Sequence, residues 1–201
     1  MYFPGFNLIA TMAIGLCVKV ISHEVTNKVY LDVIQKTDNL GRIVIGLYEN
    51  DTPKTAGYFK DLATVGINGT KLEGSRFHKI VPNFKVQGGE GMDINLVYDE
   101  EYGCSVTVQE EEGRVSHSEA GIVSLAARVA HMRWTEFFIT MKPTEWLDYH
   151  DVAFGKVVEG MDVVQKIEKT ECNIECRPKV PIIIKKCGLI PMKNNETSKL
   201  K

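Results

Sequence analysis

Apolar and polar positions alternate with a period of two through "NKVYLDVIQ" (27–35) and again through "RIVIGLYE" (42–49), with "DNLG" between them. Successive side chains of a strand point to opposite faces, so this period predicts two half-buried strands joined by a turn. From 51 to 64 the period changes. In "DTPKTAGYFKDLAT", Ala56, Phe59, Lys60 and Ala63 recur at helical spacing, Thr52 stands as N-cap and Pro53 opens the helix, so Phe59 faces a core. "RFHKIVPNFKVQGG" (76–89) reads as a hairpin broken at Pro82-Asn83. "GIVSLAA" (121–127), "TEFFITM" (135–141), "DVAFGKVV" (151–158) and "VPIIIKKCGLI" (180–190) read as further strands. "EGMDVVQKIEKT" (159–170) sets Met161, Val164 and Ile167 in a helical row, giving a second amphipathic helix. Many short strands with two helices far apart in sequence predict a closed barrel, with a helix over each open end. Closure also removes the exposed strand edges that such an apolar set would otherwise leave.

The 76–89 hairpin carries Lys79, Lys85 and Gln87 among its apolar residues. One reading is a half-exposed hairpin with those groups in water. The other is a pocket that takes up something apolar and handles its polar backbone. Strand parity does not supply the second reading unaided. A two-residue turn at Pro82-Asn83 puts Lys79 with Phe84 on one face and Gln87 on the other, so a bulge is needed to unite them.

Composition narrows the class. The chain has 201 residues, 44% apolar and 25% charged, enough for one domain with a sizeable core. A net charge of −2 sets up no field that would favour nucleic acid. "QEEEGR" (109–114) reads as a solvated loop. The apolar run "FNLIATMAIGLCV" (6–18) is of export-signal length and short for a bilayer span. Val20 and Ser22 then suit positions −3 and −1 of a cut before His23, although no Lys or Arg precedes the run. Cleavage would remove Lys19 and no acid, taking the net charge from −2 to −3. The expected layout is a signal over 1–22, one domain over 23–190 and a polar tail over 191–201. The route is then the secretory pathway, endoplasmic reticulum lumen or exterior; an uncleaved segment would tether the chain to a membrane instead. Cys17 lies in the signal, leaving Cys104, Cys172, Cys176 and Cys187, with Cys172–Cys176 the expected bridge or all four as free thiols. Asn68 and Asn195 head glycosylation sequons; Asn50 heads a third, spoiled by Pro53. The histidines and cysteines do not take a zinc-ligand spacing, and no Ser–His–Asp or phosphate-loop context stands out.

The pieces "KVYLDV", "GRIVIGLYENDTPKTAGYF", "FHKIVPNFKVQGG", "GIVSLA", "EFFIT", "TEWLD", "FGKVVEGMDVV" and "IIIKKCG", in this order from about 28 to 190, resemble a cyclophilin. The resemblance implies an all-β-dominated fold, a closed eight-stranded antiparallel barrel capped by two helices. It implies peptidyl-prolyl cis–trans isomerase activity on proline-containing segments of client proteins, without metal or cofactor, by a monomer, and in many members cyclosporin binding. By matching positions, Lys79 and Gln87 are the expected catalytic pair. Phe84, Lys85, Ala127, Glu136, Phe138, Trp146, Leu147 and Asp151 are the expected substrate-binding set, although the three apolar ones among them, Phe84, Phe138 and Leu147, also read as plain core.

Departures from the family pattern bear on that assignment. Lys79 stands for an arginine and lacks its planar fork, though it keeps the charge. Lys85 replaces an apolar pocket residue, Glu136 a glutamine, Ala127 an asparagine and Asp151 a histidine. "EGMDINLVYDEEYG" replaces a glycine-rich lid, and Arg128 and Trp134 alter the neighbouring wall. Two functions follow: a prolyl isomerase of reduced activity, or a degenerate cyclophilin that holds proline segments as a chaperone or scaffold.

Overall fold

The computed structural model describes residues 22–67, 69–90, 111–126 and 136–191. Eight strands close into one antiparallel barrel. They are β1 (Asn27–Gln35), β2 (Asp38–Leu47), β3 (Arg76–Val81), β4 (Lys85–Glu90), β5 (Ile122–Leu125), β6 (Phe137–Thr140), β7 (Val152–Glu159) and β8 (Ile182–Ile190). The order around the barrel is β1-β2-β7-β5-β6-β4-β3-β8. Two helices accompany them among the described residues, α1 (Pro53–Ala63) and α2 (Met161–Glu168).

The two-residue period of the sequence sets the inside of the barrel. Val29, Leu31 and Val33 of β1 and Ile43, Ile45 and Leu47 of β2 are fully buried in one apolar cluster. Both helices put their apolar stripes into that same cluster, α1 through Ala56, Phe59 and Leu62, α2 through Val163, Val164 and Ile167. The Phe59 ring meets Phe154 at 4.8 Å and Phe137 edge-on at 5.2 Å between centroids. Burying a phenylalanine of this kind stabilises by about 1.5–3 kcal/mol. The α2 helix starts at Gly160, whose φ is 84°; a Cβ there would lie 2.1 Å from the Arg42 carbonyl oxygen, so only glycine fits.

The start of α1 departs from expectation. Thr52 occupies the N-cap, but its hydroxyl donates back to the Tyr48 carbonyl and caps nothing. The capping acceptor is Glu111, from the acidic run expected to be solvated. Its carboxylate is 2% exposed and accepts the Lys54 and Thr55 N–H groups at 2.9 Å each and the Thr55 hydroxyl at 2.7 Å. A carboxylate at a helix N-terminus satisfies orphan donors and meets the positive end of the helix dipole. One glutamate in a charged run therefore turned inward because α1 offered three donors.

Cys172 and Cys176 are free thiols in the structure, where the sequence suggested a bridge. The Cys172 side chain packs against the core cluster and its Sγ donates to the Thr170 carbonyl. Cys176 takes a left-handed backbone, φ 63°, and its carbonyl accepts the Ile80 N–H of β3 at 2.8 Å. Burial pushes the Cys187 thiol up to about 11, which keeps it protonated and inert near neutrality. The 1–21 segment, Cys17, Cys104, Asn68 and Asn195 lie outside the described residues. No helix among the described residues is long and apolar enough to cross a membrane.

Candidate active site

The β3–β4 hairpin resolves the parity problem in a way the sequence did not suggest. Its connection has three residues, Pro82, Asn83 and Phe84, between the paired Val81 and Lys85. The Phe84 N–H closes on the Val81 carbonyl, and Asn83 sits at φ 57°. Proline followed by a left-handed asparagine suits the centre of a type II turn. With three residues in the turn, Lys79 pairs directly with Gln87, so the two share the outer face.

A bulge does occur, one residue further back, and it has a different effect. His78 is the extra residue between the pairs Phe77–Gly88 and Lys79–Gln87. It lets Phe77 return to the core on the same side as Ile80, both 1% exposed. Gly88 faces Phe77 because a Cβ there would stand 2.9 Å from the Phe77 ring and 3.2 Å from that of Phe137. The glycine after Gln87 is thus a packing requirement of the inner face.

Cross-strand pairing extends the outer row. Gln87 of β4 pairs with Phe138 of β6, Phe138 with Ser124 of β5, and Ser124 with Ala153 of β7. Lys79, Gln87, Phe138, Ser124 and Ala153 therefore cross five strands on the outside of the barrel. Glu136, two residues before Phe138, accepts the Gln87 side-chain N–H at 2.7 Å and lies 3.5 Å from the His78 Nε2. His78 is 9% exposed and its Nδ1 has no hydrogen-bond partner among the described residues.

Phe138 was expected in the substrate-binding set or as plain core, and its ring is fully buried. His117 stacks nearly parallel to it, centroids 6.1 Å apart, and the Lys85 ammonium sits 4.5 Å from the ring centroid. The same ammonium is 5.6 Å from the Phe84 centroid. Such a contact with an aromatic face is worth about 0.5–2 kcal/mol. Phe84 in turn stacks on Trp146 at 6.0 Å, in a 3₁₀ turn Glu145–Leu147, and Trp146 is 59% exposed. Leu147 is half-buried in that turn, and its carbonyl accepts the Asp151 N–H at 3.0 Å. Ala127, Arg128 and Trp134 lie outside the described residues.

One constellation escaped the sequence reading. His117 is completely buried between Asp148 and Ser124, its Nδ1 2.7 Å from a carboxylate oxygen and its Nε2 3.0 Å from the hydroxyl. With Nδ1–H donating to Asp148, Nε2 is left to accept the Ser124 O–H. This Ser–His–Asp line is no nucleophile, because Ser124 is fully buried in the wall. It fixes the imidazole on which Phe138 stacks. The only signal available was "SHSEAGIVS" followed by "EWLD", residues that meet only after folding.

Residues 30–189 match the family model for cyclophilin-type peptidyl-prolyl cis–trans isomerases. The chain belongs to that family. A rhodopsin-specific isozyme of peptidyl-prolyl cis–trans isomerase from Calliphora vicina is 35% identical over 92% of this chain and 78% of its own length. A peptidyl-prolyl cis–trans isomerase of Encephalitozoon cuniculi is 38% identical over 85% and 98%. Peptidyl-prolyl cis–trans isomerase B of Saccharomyces cerevisiae is 37% identical over 92% and 90%. The cyclophilin is accordingly a peptidyl-prolyl isomerase, and its barrel with two helices is the one the resemblance implied.

Asp148 lends itself to a stability test. Burial pushes its carboxyl up, but the His117 N–H, the Ser116 hydroxyl and the His117 ring together outweigh this and hold it below the usual value. A depressed folded-state value stabilises fully above the unfolded one, near 4, and the gain is lost as pH falls through the folded value. Asp148→Ala is expected to cost roughly 1–3 kcal/mol at neutral pH, the cost of leaving buried partners unsatisfied. Urea melts from pH 7 down to 2 should show the variant and parent converging in acid. A constant gap across that range would overturn the assignment.

Proposed function

We propose that this cyclophilin turns X–Pro bonds with Lys79 as the hydrogen-bond donor and Gln87 as the hold on the peptide backbone. The reading rests on one observation: the turn and register that place Lys79 opposite Gln87 and Gln87 opposite Phe138. An X–Pro bond resists rotation by about 20 kcal/mol because the nitrogen lone pair is delocalised into the carbonyl. Half-way round, that delocalisation is broken and the nitrogen accepts a hydrogen bond. A donor aimed there is complementary to the twisted state alone, so it accelerates rotation without nucleophile, metal or cofactor. Glu136 is a positioning residue. By accepting one Gln87 N–H it orients the amide and leaves the carbonyl oxygen for the Lys79 ammonium or a peptide N–H. Phe84, Phe138, Leu147 and the aliphatic stem of Lys85 supply apolar surface for the ring; Asp151 and, outside the described residues, Ala127 complete the proposed substrate-binding set. The clients are proline-containing segments of other proteins, and the chain acts as a monomer.

A protease-free exchange measurement by NMR on a short X–Pro peptide tests the donor. Lys79→Ala should lower kcat/KM about 10–100-fold, at about 1.4 kcal/mol per factor of ten. Lys79→Arg should raise it several-fold, because the guanidinium fork reaches the nitrogen and a carbonyl together. An alanine variant as fast as the parent would remove Lys79 from the mechanism.

The exposed indole of Trp146, stacked on Phe84, supports cyclosporin binding at the rim. Trp146→Ala should weaken binding about tenfold, roughly the loss of one good hydrogen bond, when measured by calorimetry. Equal affinities would place the drug elsewhere.

We also propose export, with 1–22 as a cleaved signal and 191–201 as a polar tail. His23 bonds Asp51 at 3.0 Å and the Thr26 N–H bonds the Leu47 carbonyl, so a chain cut before His23 would keep both contacts. A glycosylating route would make glycans at Asn68 and Asn195 chemically accessible. Intact-mass analysis of exported protein should find a chain beginning at His23. Retention of Met1 would support the membrane-tethered form instead.

A further inference from the structure

The outer face around Phe138 is electrically polarised along its length. On β6 the outward positions run Glu136, Phe138, Thr140; on β4 Gln87 stands opposite Phe138 and Lys85 opposite Thr140. The carboxylate of Glu136 is thus at one end, tied to Gln87 and facing His78, and the Lys85 ammonium is at the other. Lys142 and Glu145, which precede Trp146 in sequence, are both exposed. Lys79 lies on the next strand, opposite Gln87, and adds a second positive charge to the middle of the row.

A proline ring that comes to rest on Phe138 meets the Lys85 ammonium there, 4.5 Å from the centroid. The ammonium must leave that face. Its stem is flexible and its anchor on β4 is fixed, so it moves only to the rim, beside the residues that flank the bound proline. Leaving forfeits the contacts with Phe138 and Phe84. A carboxylate next to the proline in the substrate replaces them with an ion pair in a partly dry site, where charge pairs are strong. A lysine or arginine there meets Lys79 and Lys85 together.

We propose that Lys85 is a specificity-determining residue that selects proline segments carrying an Asp or Glu beside the proline and rejects those carrying Lys or Arg. This rests on the isomerase reading above and names the substrate class of the same site. Lys85 covers the pocket floor when no substrate is bound, and an acidic neighbour is what draws it aside.

The test uses the full chain and a set of short peptides with Glu, Ala or Lys immediately before the proline, and a second set with the change immediately after. Exchange rates and affinities come from the same NMR titrations, at low salt and at about 0.5 M. On at least one flank, the Glu peptide should exceed its Lys counterpart about tenfold in kcat/KM and in affinity. Salt should narrow the gap, because the pairing is electrostatic. Lys85→Met should quicken the Ala peptides and shrink the Glu-over-Lys ratio to below about twofold, and Lys85→Glu should invert it. A parent enzyme indifferent to both flanks, or a ratio that survives Lys85→Met, would overturn the proposal. A parent that binds but turns over none of the peptides would sink the isomerase reading, while the affinity ratio and its dependence on Lys85 would still decide this one.

Discussion

The register of β4 between β3 and β6 is the constraint on which the site depends. Its residues alternate between two duties: Val86 and Gly88 face the core, Lys85 and Gln87 face outward. A slip of one residue would put Gln87 and an ammonium inside and valine outside. Several independent contacts forbid it. Gly88 accepts the Phe77 ring only in the present register. The turn is held by Glu168, whose carboxylate accepts the Asn83 N–H at 2.8 Å, and by the Met141 N–H on the Phe84 carbonyl. The bulge at His78 then sends the Ile80 N–H out to Cys176. The site is accurate because the core beneath it tolerates only one alignment.

Two buried polar arrangements carry this order outward. Glu111 holds the start of α1, whose Phe59 plugs the core against Phe137 and Phe154. Phe137 is the inward neighbour of Phe138, so the packing of the helix reaches the floor of the site in one residue. From the other side, Asp148 and Ser124 lock His117, and His117 stacks on Phe138. Glu111 is buried and Asp148 half-buried, and each is tolerable there because the carboxylate accepts three hydrogen bonds.

Much of the fold was legible in the chain. The period of two in 27–35 and the helical row of 53–63 are local signals, and local signals report directly on faces. The barrel followed because so many apolar strands need closure. The candidate site was proposed only through the resemblance, since Lys79 and Gln87 look like surface residues of a hairpin. What the sequence hid were matters of one residue or one distant partner. Whether Phe84 belongs to the turn or to the strand decides the parity of the whole hairpin. Whether Glu111 is solvated depends on donors 56 positions away. The partnership of His117 with Ser124 spans seven residues, but it requires Asp148, 31 positions on, to make sense.

The departures from the family pattern gain coherence when taken together. The pattern has one arginine, an apolar residue and a neutral glutamine at the places of Lys79, Lys85 and Glu136, a sum of one positive charge. Here the three places hold two ammonium groups and one carboxylate, and the sum is again one. Over these three places the charge is kept while its distribution is not. Glu136 draws negative charge to the Gln87 end, and Lys85 adds positive charge at the Trp146 end. Total charge governs how strongly a cleft attracts a peptide from a distance; its distribution governs which peptide fits once there. A lone Glu136 would neutralise the donor that the twisted amide needs, and a lone Lys85 would crowd Lys79 with a like charge. Each change offsets the electrostatic cost of the other, which is why the chain can carry both and still present an ammonium beside Gln87.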